Sequence, residues 1–125
     1  LYQEDHSNPT AKMVLIAPAT ETQSAIDLFS HFFGLSPKIK ESIHAYIKQK
    51  SGNEISYYSI NRIAPKLKNP ILWIHDKDDD ITPLSDVKPL MDLSPGNVEF
   101  MITKGLGHRK IYKDASVMKR IIDFI

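Results

Sequence analysis

Two stretches of the chain end an apolar run in residues that could move protons. Ile71-Leu-Trp-Ile74 runs into His75 and then into Asp76, Asp78, Asp79 and Asp80, and Val98-Glu-Phe-Met-Ile102 runs into Lys104-Gly-Leu-Gly-His108. Strands of a parallel sheet deliver their following loops to one carboxyl edge, so these two endings would meet there as an acid and a base. An ionised carboxylate can orient an imidazole, and an imidazole takes up a proton near neutral pH. Carboxylates after a strand also serve simply as caps or solvated loop residues, and a loop histidine is commonly a surface residue. The two glycines around Leu106 imply a tight backbone leading into His108, which favours the acid-base reading. His75, at a strand end, reads as packed, whereas His6, His31 and His44 read as surface residues.

The elements that would carry these residues alternate. Met13–Ala17 is a short, continuous apolar run of the kind buried on both faces of a parallel sheet, and Pro18 ends it. Thr20-Glu-Thr-Gln23 has capping-box spacing, and Ile26, Phe29 and Phe33 recur at helical intervals up to Gly34. Ser36 caps a second predicted helix opened by Pro37, with Ile39, Ile43, Tyr46 and Ile47 on one face and Gly52 beyond its end. Tyr57, Tyr58, Ile60 and Ile63 predict a further helical turn before Pro65. A simple crossover needs far fewer residues than lie between the first two strands, so 19–66 reads as a helical, lid-like insert. Thr82-Pro83 opens a helix with Val87, Leu90 and Met91, and Ser94-Pro-Gly96 turns into the third strand. Asp114 caps a last helix with Val117, Ile121, Ile122 and Ile125 as its apolar stripe. Residues 1–10, with Asn8-Pro9, read as a connecting loop. The pattern is an α/β chain: a three-layer parallel sheet flanked by helices.

Composition narrows the function classes. The 125 residues suit one domain, and 42% hydrophobic with 25% charged residues can build a core. Lys+Arg 16 against Asp+Glu 15 gives a net charge of +1, so no global field favours nucleic acid or an anionic membrane. No apolar run approaches the roughly 18 residues that span a bilayer. The absence of cysteine removes thiol nucleophiles, disulfides and thiolate zinc sites, and it fits a reducing compartment, with a cytoplasmic location favoured.

Ile74-His-Asp-Lys-Asp-Asp-Asp-Ile-Thr-Pro83 resembles the acid-bearing turn of the α/β-hydrolase superfamily, and Lys104-Gly-Leu-Gly-His108 is similar to that family's histidine loop. The order, acid before histidine, is also the family's. The resemblance covers essentially the whole chain and implies a partial α/β-hydrolase fold, the portion following the nucleophile, spanning 1–125. It implies Asp79 as catalytic acid and His108 as catalytic base, with Asp78 and Asp80 as rivals for the acid. Asp76 stands where the family usually has glycine. The nucleophilic serine of such enzymes sits in a Gly-x-Ser-x-Gly elbow, and Gly34-Leu-Ser36-Pro-Lys38 lacks the final glycine and follows helix-like sequence. The resemblance therefore implies a serine hydrolase acting on an ester, amide or thioester, its nucleophile upstream of Leu1, so that this chain alone is inactive. No cofactor and no metal are implied. The partner expected is a small-molecule acyl substrate, with Phe29, Phe33 and Tyr57 as candidate substrate-binding residues, although aromatics at helical spacing more commonly pack within their own layer. Without the upstream half, strand 13–17 would be an open edge suited to self-association.

Two other classes compete. Asp76-Lys-Asp78 after an apolar strand also resembles the Asp-x-Asp of haloacid-dehalogenase-type phosphatases, whose first carboxylate is a nucleophile and which hold magnesium; that reading leaves Gly-Leu-Gly-His without a purpose. A non-catalytic binding module on the same fold is the other. A calcium loop starting at Asp76 fails, because its sixth position is Ile81 and its twelfth Val87.

Overall fold

The computed structural model describes residues 11–125, so the predicted connecting loop at 1–10 and His6 lie outside the described residues. Three parallel strands, β1 (Met13–Ile16), β2 (Ile71–Asp76) and β3 (Val98–Thr103), pair in the order β1-β2-β3. Helices α1 (Thr22–Phe32), α2 (Pro37–Ser51) and α3 (Ile60–Ile63) lie between β1 and β2. Helix α4 (Lys88–Leu93) joins β2 to β3, and α5 (Gly107–Lys110) and α6 (Ala115–Phe124) follow β3.

The period of two along a strand sorts the core into two halves. Leu72 and Ile74 face one way, with Val14 and Ile16 from β1 and Met101 from β3, and pack under Ile111, Val117, Ile121 and Phe124 of the C-terminal segment. Ile71 and Trp73 face the other way, with Met13, Leu15, Val98 and Phe100, and pack under Ala64, Val87 and Leu90. Helices thus cover both faces, which is the predicted three-layer α/β arrangement. The central strand, β2, is buried along its whole length. Strand β1 is only half-buried, against the expectation of burial on both faces, because among the described residues it pairs with β2 alone.

The helix starts follow the caps, with one correction. Ser36 Oγ accepts from Ile39 N at the start of α2, and Gly52 ends that helix at φ 74°, where a side chain would be strained. Asp114 accepts from Ser116 N and Val117 N at the start of α6. The capping box at Thr20, however, does not form. Its hydroxyl bonds the Pro18 carbonyl instead, and α1 begins two residues later with Glu21 as a cap that offers no side-chain bond. The apolar stripe of α6 is also narrower than predicted. Ile122 and Ile125 are exposed, and Phe124 rather than either of them packs on the sheet.

Residues 19–66 are helical as expected, yet they bury little. Helix α2 has no fully buried residue, and Phe29 and Phe32 on α1 and Phe33 at its C-cap are mostly exposed. The two ends of the segment are tied to each other, by a bridge between Glu21 and Ser59, by Ser59 Oγ and Asn61 Nδ2 donating to the Glu21 carboxylate, and by Thr22 Oγ1 donating to the Tyr58 carbonyl, and Asn61 Nδ2 also reaches the Asp86 carbonyl.

Candidate active site

The β2–β3 register fixes which residues leave the sheet side by side. His75 pairs with Ile102 and Asp76 with Thr103, so the acid turn and the histidine loop emerge from one carboxyl edge. The Lys77 N–H donates to the Thr103 carbonyl at 2.9 Å and carries the pairing one step beyond the strands.

Asp79 lies in the turn after β2 with its side chain fully buried. Its Oδ1 accepts from Ile81 N at 2.9 Å and Thr82 N at 2.8 Å, the local pattern by which an aspartate closes the start of a helical turn. Its Oδ2 accepts from Thr82 Oγ1 at 2.9 Å and lies 2.9 Å from His108 Nδ1. Burial pushes the Asp79 carboxyl up, but the bonds from Thr82 N, His108, Ile81 N and the Thr82 hydroxyl outweigh it and hold the pKa below the ordinary value. The carboxylate is therefore ionised at neutral pH, and Nδ1 carries the proton toward it. The neutral imidazole then has its lone pair on Nε2, which makes no hydrogen bond among the described residues. The ring is partly open to solvent, at 25% side-chain exposure, and meets Tyr112 edge-on.

The rival carboxylates do other work. Asp80 is exposed. Asp78 is exposed too, and its Oδ2 accepts from Gly105 N at 2.9 Å. Asp76 is completely buried: Oδ1 accepts from Asp78 N at 2.9 Å, and Oδ2 from Thr103 Oγ1 at 2.6 Å and Leu106 N at 3.1 Å. A carboxylate with both oxygens so committed does not suit the nucleophile of the phosphatase reading. Among the described residues no group of three or more His, Cys, Asp and Glu side chains is arranged to hold a metal.

His75 is buried as expected. Its Nε2 lies 2.6 Å from the Thr82 carbonyl, an atom that can only accept, so Nε2 donates and Nδ1 accepts from the Trp73 indole at 3.4 Å. His31 is exposed and His44 half-buried.

Thr82 is the residue that sequence reasoning passed over. It binds Asp79 through both its N–H and its hydroxyl, its hydroxyl stands 3.2 Å from His108 Nδ1 and 3.2 Å from the Ala17 carbonyl at the end of β1, and it also lines an apolar cavity. Its position three residues after Asp79, before Pro83, is the spacing at which a capped N–H is sought, and that was the available signal.

The cavity holds about 340 Å³ and runs from Thr82, Ile81 and Pro83 to Leu28, Phe29 and Phe32 of α1 and to Phe33 at its C-cap. Phe29 and Phe33 line this mostly apolar cavity together with Thr82, which also bonds Asp79. Tyr57 does not line it: the ring packs against the Arg62 guanidinium at 4.1 Å and edge-on to Tyr58. Ser36 is occupied as the cap of α2.

No helix among the described residues is long and apolar enough to cross a membrane. No family model and no curated protein matches the chain. Among solved structures, a meta-cleavage product hydrolase from Pseudomonas fluorescens IP01, determined as a mutant complexed with acetates, is similar with a TM-score of 0.53 and 16% identity, over 96% of this chain. The chain spans 57% of that protein's length. At this identity the likeness speaks for architecture, and with the parallel sheet covered by helices on both faces it shows that the chain has a partial α/β-hydrolase fold.

Proposed function

We propose that this chain is the acid-and-base-bearing part of a serine hydrolase that cleaves an ester, amide or thioester. The observation that carries the reading is the 2.9 Å contact between an ionised, buried Asp79 and His108 Nδ1, which leaves Nε2 as the basic nitrogen. In this mechanism Nε2 takes the proton of the attacking serine hydroxyl. Asp79 keeps the imidazole in the Nδ1–H tautomer and stabilises the imidazolium as the tetrahedral intermediate forms, and the imidazolium then protonates the leaving group. Thr82 braces the carboxylate. The acyl group lies in the apolar cavity against Phe29 and Phe33, and the helical segment 19–66 acts as its lid.

The nucleophile belongs to a segment outside this chain. Among the described residues no serine occupies a strand-to-helix elbow, and the serine nearest to the pattern, Ser36, is spent as a helix cap. In the full-length protein, p-nitrophenyl ester hydrolysis is expected, with His108→Ala lowering kcat by about 10³-fold or more. The 125-residue chain alone is expected to stay at the level of free imidazole. Activity of the chain alone that Ser36→Ala abolishes would contradict the assignment of the nucleophile.

A further inference from the structure

The histidine loop is held to the acid turn by carboxylates that take no part in the proton transfer. Asp76 is buried completely and bonds the end of β3 through Thr103 Oγ1, the loop through Leu106 N, and its own turn through Asp78 N. Asp78 adds a second tie to Gly105 N. Beside these ties Gly105 and Gly107 sit at φ 84° and 58°, a conformation glycine adopts without strain, so the backbone can turn sharply into His108. Two residues after Leu106 comes His108, whose ring reaches back to Asp79. The same turn therefore presents Asp79 to the imidazole and, through Asp76, grips the backbone that carries it.

We propose that Asp76 is a positioning residue that sets the approach of His108 to Asp79 by clamping the Leu106 backbone; this rests on the acid-base reading given above. Glycine at this position could do none of it, so the family departure at Asp76 becomes a device for placing the histidine. Burial alone would raise the Asp76 carboxyl, yet the bonds from Thr103 and from the Asp78, Gly107 and Leu106 N–H groups hold it below its ordinary value, as a clamp built on the ionised form requires. An amide cannot replace it. One oxygen of Asp76 accepts a backbone N–H from Asp78 and the other from Leu106, so either orientation of an asparagine sets its NH₂ against a backbone donor.

The test reads the His108 tautomer by nitrogen-15 NMR of this chain, at a pH where the imidazole is neutral. Wild type is expected to show the Nδ1–H form. Asp76→Asn is expected to keep the circular dichroism of the folded chain while His108 becomes a mixture of Nδ1–H and Nε2–H forms, and Asp80→Asn, on the exposed carboxylate, is expected to change nothing. Thr103→Val is isosteric and removes one donor to Asp76 while leaving the Leu106 contact. It is expected to give a smaller shift of the same kind, and it reads the clamp if Asp76→Asn does not fold. A folded variant with the Nδ1–H form intact overturns the positioning role. Wild type lacking the Nδ1–H form instead overturns the Asp79–His108 reading itself, so the two failures are distinct.

Discussion

Asp79 and Thr82 concentrate the energetics of the site in four atoms. A buried carboxylate is tolerable because its lone pairs have donors, and removing one donor leaves a buried lone pair unmet. Thr82→Val keeps the shape and the N–H bond to Oδ1 but deletes the hydroxyl donor to Oδ2. It is expected to cost about 1–3 kcal/mol in urea denaturation. The pH dependence has a definite sign. The folded pKa values of Asp76 and Asp79 lie below the ordinary carboxylate value of about 3.9. Their ionised forms therefore contribute stability that is present above that value and is lost as the pH falls through the lower folded values. Denaturation midpoints should hold steady from neutrality to about pH 5 and then fall, and Asp76→Asn should flatten that fall; an acid limb equal in wild type and variant would count against the clamp. The meeting of Asp79 and His108 was legible because each ends an apolar run and the glycines mark a shaped loop. The roles of Asp76 and Thr82 were not. They depend on which backbone N–H lies within 3 Å of which oxygen across two loops, a property of register rather than of residue type.

The elements differ in how firmly they are held. Strand β2 is buried throughout, whereas α2 has no fully buried residue and is secured by its caps. Hydrogen exchange is expected to follow that division, with β2 amides slowest and α2 amides among the fastest of the helical ones; uniform protection across both would contradict it. Ser36→Ala should loosen α2 by about 1 kcal/mol, with little effect on β2 exchange. Strand and helix order could be read from apolar runs and turn residues, and Ser36, Gly52 and Asp114 marked helix ends that the structure keeps. The start of α1 was misread because Thr20 finds a nearer acceptor in the Pro18 carbonyl. The α6 stripe was misread because periodicity alone cannot say how wide a face the sheet covers, and Ile122 falls outside it.

At the scale of the whole molecule the open side of β1 stands out. Met13–Ile16 is wholly apolar, half-buried, and paired on one side only among the described residues. Such an edge is a template for another strand. Sedimentation equilibrium of the 125-residue chain at micromolar concentration is expected to show self-association, weakened by Leu15→Lys; a stable monomer with freely exchanging β1 amides would show that the edge needs no partner. The central claim is that Asp79 and His108 act as one unit on a serine supplied from outside this chain. The most direct measurement is a double-mutant cycle on kcat in the full-length protein. Asp79→Asn and His108→Ala are each expected to lower kcat by about 10³- to 10⁴-fold, and the double variant by no more than His108→Ala alone, since the acid works only through the imidazole. Losses that multiply in the double variant, or an Asp79→Asn enzyme as fast as wild type, would contradict it.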